Sequence, residues 1–274
     1  MNTRLRILLA AAVTVAVLGA AWLWWSQSRP TPPAEPVPVA VPVAPPPTPM
    51  ASAAPAPEPP PVEVPAPAAP LAASDIDKAL TELIGRKGVL SFLQLDGFAR
   101  RFVATVDNLG RAQAPAAVWP VTPMAGRFTV VEHDTGPVIS PDNGQRYTAF
   151  VLLAESVDTA RAVDLYLRMY PLLQQAYVDL GYPRQQFNDR LMAVTRLLLA
   201  TPDAAQPQKL VLTEVKGPIE SLRPWVRYQF ADPALESLAA GQKILLRVGP
   251  VNERRLKARL AAFRAELARR LEKR

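Results

Sequence analysis

Apolar side chains recur at helical spacing through most of the chain from residue 74 onward. Phe98, Phe102, Val106 and Leu109 repeat at intervals of three or four, the spacing of one helix face. The same pattern predicts further helices over residues 75–84, 159–180, 185–200, 235–248 and 252–274, and a helical stripe over 147–154. Enrichment in β-branched residues predicts a strand over residues 126–132 and another over 209–215. We therefore predict a mainly α domain with a few short strands over residues 74–274.

Capping and breaking residues set the predicted helix ends. Side chains suited to accept a hydrogen bond from a free backbone N–H precede five of the helices; they are Ser74, Asp96, Asp158, Asp232 and Asn252. Gly85 and Gly181 are predicted stops, since glycine is favoured just beyond a helix end. Pro171 lies inside the helix over 159–180 and is predicted to kink or divide it.

The N-terminal region has the pattern of a membrane anchor. Ile7 to Trp25 carries no charge and no proline, and about 20 apolar residues span a bilayer core. Three tryptophans crowd one end, and Arg4 and Arg6 flank the other. Residues 1–29 are therefore predicted to be a short cytoplasmic tip and a single transmembrane helix. A cleaved signal peptide is the alternative, although the tryptophans make a poor cleavage context.

Proline dominates the next segment. More than half of the chain's 31 prolines fall between Pro30 and Pro70. Proline fixes φ and lacks a backbone N–H, so neither helix nor sheet can propagate. We predict that residues 30–73 are a disordered, polyproline II-like spacer that lifts the domain off the membrane. A ligand for aromatic-lined grooves is the alternative.

Composition excludes some chemistry and locates the charge. The chain has no Cys and one His, which excludes disulfides, thiolate sites and clusters of histidines. The net charge of +7 is concentrated in the last predicted helix. Its candidate contacts with an anionic surface are Arg255, Arg259, Arg264, Arg269 and Arg270. The apolar stripe of that helix can instead dock on the domain core, or the helix could bind nucleic acid, which the predicted topology disfavours.

Candidate catalytic groups form no recognisable constellation. His133 lies near Ser140 and Asp142 in sequence, but no nucleophile elbow accompanies them. Glu155 with Asp158, or Asp179 with Asp189, could serve a glycan hydrolase as paired carboxylates, although such spacing is common by chance. Residues 140–144 partly resemble a cation-binding loop but are better explained as a turn. We therefore predict no catalytic residue, metal site or cofactor.

Aromatic and polar residues concentrate around the end of the helix over 159–180. The tyrosine spacing suits either an aromatic platform for sugar rings or peptides, or ordinary core packing, which we favour. Should the domain have a recognition surface, the sequence places it on Tyr166, Tyr170, Gln174, Tyr177, Tyr182, Gln186, Asn188, Asp189 and Arg190.

Several strings along the domain together carry a family resemblance. They are FARRFVATVDNL, SPDNGQRYTAFVLLAESVDT, LYLRMYPLLQQAYVDLGYPRQQFNDRLM and YQFADPALESLAAGQKILLRVGP. In this order they resemble the bacterial envelope family catalogued as domain of unknown function 3014, over roughly residues 74–270. The resemblance implies a membrane-associated protein, and it lends no activity, catalytic residue or ligand.

These observations predict a non-catalytic, membrane-tethered binding or scaffolding module of the cell envelope. The domain is expected in the periplasm of a single-pass inner-membrane protein. Its expected partner is an envelope protein or a cell-wall component, besides the inner membrane itself. Two alternatives stay open: a cell-wall glycan hydrolase that uses paired carboxylates, and a membrane-surface sensor that uses the basic final helix.

Overall fold

The computed structural model describes residues 69–203, 207–214 and 223–272. Helices dominate this part of the chain. They are α1 (Ile76–Phe92), α2 (Phe98–Leu109), α3 (Asn143–Ser156), α4 (Thr159–Asp179), α5 (Phe187–Leu199), α6 (Pro233–Glu236), α7 (Ala240–Arg247) and α8 (Pro250–Glu272). The predicted mainly α class is confirmed. The predicted transmembrane helix and most of the predicted spacer lie outside the described residues, and none of the described helices is both long and apolar enough to cross a bilayer.

The main core is built around α4 and α8. Helix α4 packs against α1, α2, α5 and α8, while α8 also contacts α3, α5 and α7. Apolar side chains of α1, α2, α4, α5 and α8 fill the space between them. The fully buried side chains include Val163, Leu173, Tyr177, Phe187 and Leu267. The long helices therefore pack around a shared core rather than standing apart.

Four short strands form a second layer beside α7. Strands β1 (Val130–His133) and β2 (Gly136–Ile139) form an antiparallel hairpin, and β3 (Leu210–Leu212) pairs antiparallel with β4 (Tyr228–Phe230). An isolated bridge between Val138 and Lys209 joins the two pairs. A small second core of Ile139, Leu210, Phe230 and Leu246 lies between the strands and α7.

Two of the five predicted helix caps are confirmed by the structure, and three are wrong. Asp158 accepts a hydrogen bond from the N–H of Arg161 at 2.8 Å, and Asp232 accepts one from Ala234 at 2.8 Å, so both caps are confirmed. Ser74 and Asp96 make no side-chain cap, because a short 3₁₀ turn and Gly97 precede their helices. Asn252 lies inside α8, which begins at Pro250, and its side chain binds elsewhere.

Pro171 does not divide its helix. Helix α4 runs unbroken from Thr159 to Asp179, because buried side chains on both sides of the proline hold it in the core. Pro171 has no N–H to donate to the carbonyl of Leu167, four residues earlier. The next carbonyl along the helix, that of Arg168, accepts a hydrogen bond from the N–H of Leu71 at 2.9 Å. Leu71 is itself buried in the main core. The fold thus takes in residues 71–73, which the sequence assigned to the spacer.

Gly85 does not end α1 as predicted, and Gly241 lies at a close contact between helices. The backbone leaves the helical conformation at Gly85, with φ 75° and ψ 154°, but α1 resumes and continues to Phe92. Gly241 lies in the first turn of α7, where a Cβ atom would meet Leu198 Cδ2 at 2.5 Å and the Leu109 carbonyl at 3.0 Å. The glycine therefore permits α7 to approach the ends of α2 and α5 closely.

Candidate functional site

A cavity of about 760 Å³ opens between the β1–β2 hairpin, the start of α3 and the junction of α7 with α8. We call it the hairpin groove. Its walls are mainly aliphatic side chains and prolines, and they include Val131, Val138, Ile139, Pro141, Pro207, Leu246, Val248, Pro250 and Val251. A largely apolar concave surface with a few polar groups is the usual form of a ligand site.

Asn143 fixes one wall of the hairpin groove. The side chain is buried, and its Oδ1 accepts a hydrogen bond from the N–H of Thr129 at 3.0 Å. Its Nδ2 donates to the carbonyls of Thr129, at 2.6 Å, and Ser140, at 3.0 Å. The amide thus pairs with the backbone ahead of β1 much as a neighbouring strand would. These hydrogen bonds of Asn143 hold the turn over residues 140–144, which is the interpretation that the sequence favoured over a cation-binding loop.

Asn252 fixes the opposite wall. Its Nδ2 donates to the carbonyl of Gly144 at 2.7 Å and to that of Val248 at 3.1 Å. Gly249 adopts a φ of 87°, which favours glycine, and an added Cβ there would lie 3.7 Å from the Cα of Gly144. The two backbones therefore meet at glycines, with one asparagine joining them. This wall of the groove is therefore built from segments about a hundred positions apart in sequence.

Polar groups mark the rim of the hairpin groove. His133, Gln145 and Thr148 are exposed at its edge, and Arg247 and Arg255 also border it. Arg255 is paired with Glu155 through an Nε–Oε1 contact of 2.7 Å. That guanidinium lowers the pKa of Glu155, so the carboxylate is ionised at neutral pH. The rim therefore offers hydrogen-bonding groups around an apolar interior.

Two of the candidate triad residues, His133 and Ser140, border the hairpin groove, but no hydrogen bond joins them within the described residues. His133 is the exposed last residue of β1, whereas Ser140 is buried and donates no proton to an imidazole in the described contacts. The Ser140 hydroxyl accepts from the N–H of Asp142 at 3.3 Å, which is a turn contact. Glu155 is held by Arg255 with a lowered pKa, the opposite of what a general acid requires. No contact among the described residues joins the members of the triad or of the carboxylate pairs to one another.

The predicted recognition surface is largely turned inward. Tyr166, Tyr170 and Tyr177 are buried, the last with 1% of its surface exposed. Burial raises the pKa of Tyr170 to about 12 and that of Tyr166 well above its usual value, so both hydroxyls stay protonated and donate hydrogen bonds. These three rings form no exposed platform, because they pack in the core, as the favoured alternative expected.

The glutamines and Asn188 of that predicted surface form hydrogen bonds at the connection between α4 and α5. Tyr170 donates to Gln186 Oε1 at 2.9 Å, and Tyr166 donates to Asn188 Oδ1 at 3.2 Å. Gln174 accepts from the N–H of Phe187 at 2.8 Å. Together these hydrogen bonds hold the start of α5 against α4. The side chain of Asp189 is exposed overall, although partial desolvation of its carboxyl group raises the pKa of that group.

Asp107 on α2 gathers the remaining members of the predicted surface. Its carboxylate is buried and lies 2.9 Å from Arg190 Nε and 2.7 Å from Arg111 Nη2. Arg190 also donates to the Asp107 carbonyl at 2.6 Å, and the Tyr182 hydroxyl lies 3.4 Å from the carboxylate. We call this group the Asp107 hub. It ties the strings FARRFVATVDNL and GYPRQQFNDR to one another.

Helix α8 docks on the core. Its apolar stripe of Leu256, Leu260, Phe263, Leu267 and Leu271 belongs to the main core. A membrane-surface sensor needs this stripe free for the lipid, and the folded domain does not leave it free. Docking on the domain, the first of the sequence's alternatives, describes α8.

The arginines of α8 are engaged mainly within the domain. Arg259 binds the Val157 carbonyl and the Thr159 hydroxyl, the latter at 2.9 Å. Arg269 and Arg270 bind Glu266, each at 2.8 Å, and Arg270 also binds Asp164 at 2.8 Å. Arg264 has a buried Nε with no acceptor within the described residues. Contact of these five arginines with an anionic surface stays a prediction, in competition with these bonds.

The hairpin groove itself was missed by sequence reasoning. One signal was available: the Gly249–Pro250 break and the Pro-Asp-Asn-Gly turn both stood inside the strings that carry the family resemblance. Because the two turns lie about a hundred residues apart, the sequence does not reveal that Asn252 joins them by a hydrogen bond to the carbonyl of Gly144.

Comparisons with known proteins identify a family and no relative of established function. Residues 98–264 match the model of a family described as protein of unknown function, DUF3014. The matched range contains the groove's walls and the Asp107 hub. Comparisons with curated proteins and with solved structures found no match.

Proposed function

Since the chain belongs to the DUF3014 family, whose description assigns no activity, we propose from its own residues that it is a non-catalytic binding module of the cell envelope. The module is tethered to the inner membrane by residues 7–25 and set off from it by residues 30–68. Its partner is an envelope protein or a cell-wall component that inserts an apolar segment into the hairpin groove.

The hairpin groove is the observation that carries this proposal. Two buried asparagines and a pair of glycines hold its walls, so the site is formed before any partner arrives. A preformed apolar concavity costs little reorganisation on binding. Exposed valines at its edge, Val131 and Val251, would be covered by a partner.

The tether supports the same proposal from the sequence side. A spacer of about 40 residues lets a domain search the space around its anchor, and tethering raises the effective concentration of a partner in that space. A binding module gains directly from both effects. Neither the hydrolase nor the membrane-surface sensor is favoured by a contact in the described residues.

We expect a partner to be lost when the edge of the groove becomes charged. Val131 and Val211 are both strand valines, 40% and 48% exposed, but only Val131 borders the groove. A photo-crosslinking amino acid at Thr148, in the groove wall, should give a defined adduct in cells expressing the full-length chain. Val131→Asp should reduce that adduct at least tenfold, because a carboxylate would be desolvated on binding. Val211→Asp should leave it unchanged.

Two results of that crosslinking, and one of a separate activity assay, would count against the proposal. One is an equal adduct from a crosslinker at the exposed Ala265 on α8, away from the groove. A second is an equal loss of the adduct in both valine variants. Release of soluble glycan from purified cell wall by the full-length chain would overturn the non-catalytic assignment in particular.

The side of the membrane is tested separately. Because the native chain has no cysteine, Ser52→Cys places a single thiol in the spacer. An impermeant maleimide should label this variant in spheroplasts without lysis, because the spacer is proposed to lie outside the inner membrane. Labelling that requires lysis would place the domain in the cytoplasm and refute the periplasmic assignment, while leaving the groove experiment valid.

A further inference from the structure

A second cavity, of about 580 Å³, lies on the other side of Arg247 from the hairpin groove. It is bounded by the loop from Ala112 to Trp119, by strand β4, by Glu236 and by one face of α7. We call it the basic cavity. Its binding chemistry does not depend on the function proposed for the groove.

Cations outnumber anions among the side chains that line the basic cavity. Arg227, Lys243 and Arg247 face a single carboxylate, that of Glu236. Lys243 Nζ lies 2.8 Å from Glu236 Oε1, and the N–H of Phe230 donates to Oε2 at 2.9 Å. Both oxygens of Glu236 are therefore already bound, and the two guanidiniums are left without a carboxylate in ion-pair contact within the described residues.

The guanidiniums bind only neutral groups in the described contacts. Arg247 donates to the Tyr228 carbonyl at 3.0 Å and lies 4.9 Å from the centre of the Phe230 ring. Arg227 donates from one terminal nitrogen to the Thr213 carbonyl at 2.8 Å. Burial lowers the pKa of Arg247, so its charge is held in the folded protein at a cost that the nearby Glu236 only partly offsets.

Two hydrogen-bond donors of this cavity lack acceptors. The indole Nε1 of Trp119 and the Nε of Arg227 are buried and have no partner within the described part of the chain. Buried N–H groups are almost always paired, so unpaired ones call for an explanation. Both residues line the same cavity, and both groups are donors. An unpaired N–H group calls for an acceptor, and the surplus cations along the cavity favour a negatively charged one.

We propose that the basic cavity binds an oxyanion, a carboxylate or a phosphate group, between Arg227, Lys243 and Arg247, with the Trp119 indole as a further donor. Planar guanidiniums suit such ligands, because their paired N–H groups match the spacing of two oxygens. The aromatic rings of Trp119 and Tyr228 at its wall admit an apolar body attached to the anion.

Trp119 supplies the readout. The full-length chain has five tryptophans and hence five indole resonances in a ¹H–¹⁵N spectrum, of which Trp119→Phe removes and so identifies one. Sodium phosphate and sodium acetate are added in separate titrations against chloride at constant ionic strength. The Trp119 resonance should move to saturation with at least one of the two oxyanions and not with chloride. The responding salt tells phosphate from carboxylate.

Variants test where the anion binds. Arg227→Gln should weaken binding about tenfold, the loss of one charge-assisted contact. Gln229→Glu places a carboxylate beside the cavity at an exposed residue of β4, and it should weaken binding by repulsion without removing any buried side chain. Arg254→Gln, an exposed arginine of α8 outside the cavity, is the matched control and should bind as the native chain does.

The inference is overturned by any of three results. These are a Trp119 resonance that no oxyanion saturates, a shift that chloride reproduces, and unchanged affinity in Gln229→Glu. Native dispersion of the backbone amide resonances shows that a variant is folded, since three of the other four indoles lie in the predicted transmembrane segment. None of these results bears on the hairpin groove, whose crosslinking reports a different cavity.

Discussion

Replacement of Asp107 by alanine should lower the free energy of unfolding by about 2–3 kcal/mol, less than for a fully buried ion pair, because the side chains of Arg190 and Arg111 are 28% and 50% exposed. Asp107 is 4% exposed and holds Arg190, Arg111 and the Tyr182 hydroxyl at the end of α2. Without the carboxylate, the partly buried Arg190 guanidinium would keep its desolvation cost and lose its counter-charge. Urea unfolding at pH 7, followed by circular dichroism, measures the change.

Two further variants separate the Asp107 hub from general effects of substitution. Asp179→Ala removes an exposed carboxylate that contacts only Gln175 in the described residues, and it should change stability by less than about 0.5 kcal/mol. Tyr182→Phe removes the hydroxyl that donates to Asp107 and accepts from Arg111, and it should cost about 1 kcal/mol. A loss below about 1 kcal/mol in Asp107→Ala would mean that the hub is not a stabilising element.

Replacement of Leu267 by alanine should destabilise the domain by about 2–5 kcal/mol. Leu267 has no exposed surface, and it lies in the main core that α8 shares with α4 and α5. The alanine would leave a cavity that neighbouring side chains refill only in part. Thermal unfolding of the full-length chain, with urea unfolding beside it, reports the loss.

The same substitution distinguishes docking of α8 from lipid binding. Val251→Ala, at a site of the same helix that is 59% exposed, should change stability by less than about 0.5 kcal/mol. Were α8 to leave the domain for a lipid surface, Leu267→Ala would weaken sedimentation with anionic liposomes and leave the unfolding midpoint unchanged. That pair of results would refute the docked arrangement.

Local features were predictable from the sequence, and features set by packing were not. Asp158 and Asp232 cap their helices because a cap needs only a side chain and the next turn of backbone. Pro171 was predicted to kink or divide α4, yet packing on both sides outweighs one lost hydrogen bond. Similarly, asparagine is a common helix cap, but the side chain of Asn252 instead donates a hydrogen bond to the carbonyl of Gly144, 108 positions earlier in the chain.

The candidate site shows the same limit more sharply. The tyrosine and glutamine cluster stood out in the sequence because polar and aromatic residues are unusual together, but their partners turned out to be one another. The groove's walls did not stand out, since Val138, Leu246 and Val248 look like any core residues. Which apolar residues line a cavity depends on distant segments meeting, and no local period encodes that.

The attachment of Leu71 determines how the domain responds to mechanical load. Its N–H is bound to the Arg168 carbonyl, near the middle of α4, and its side chain lies in the main core. If residues 7–25 anchor the chain as proposed, a pull on the residues ahead of Leu71 would act first on this hydrogen bond and this leucine, before it reaches α1. Leu71 is thus the first point at which a force on the proposed tether would meet the folded domain.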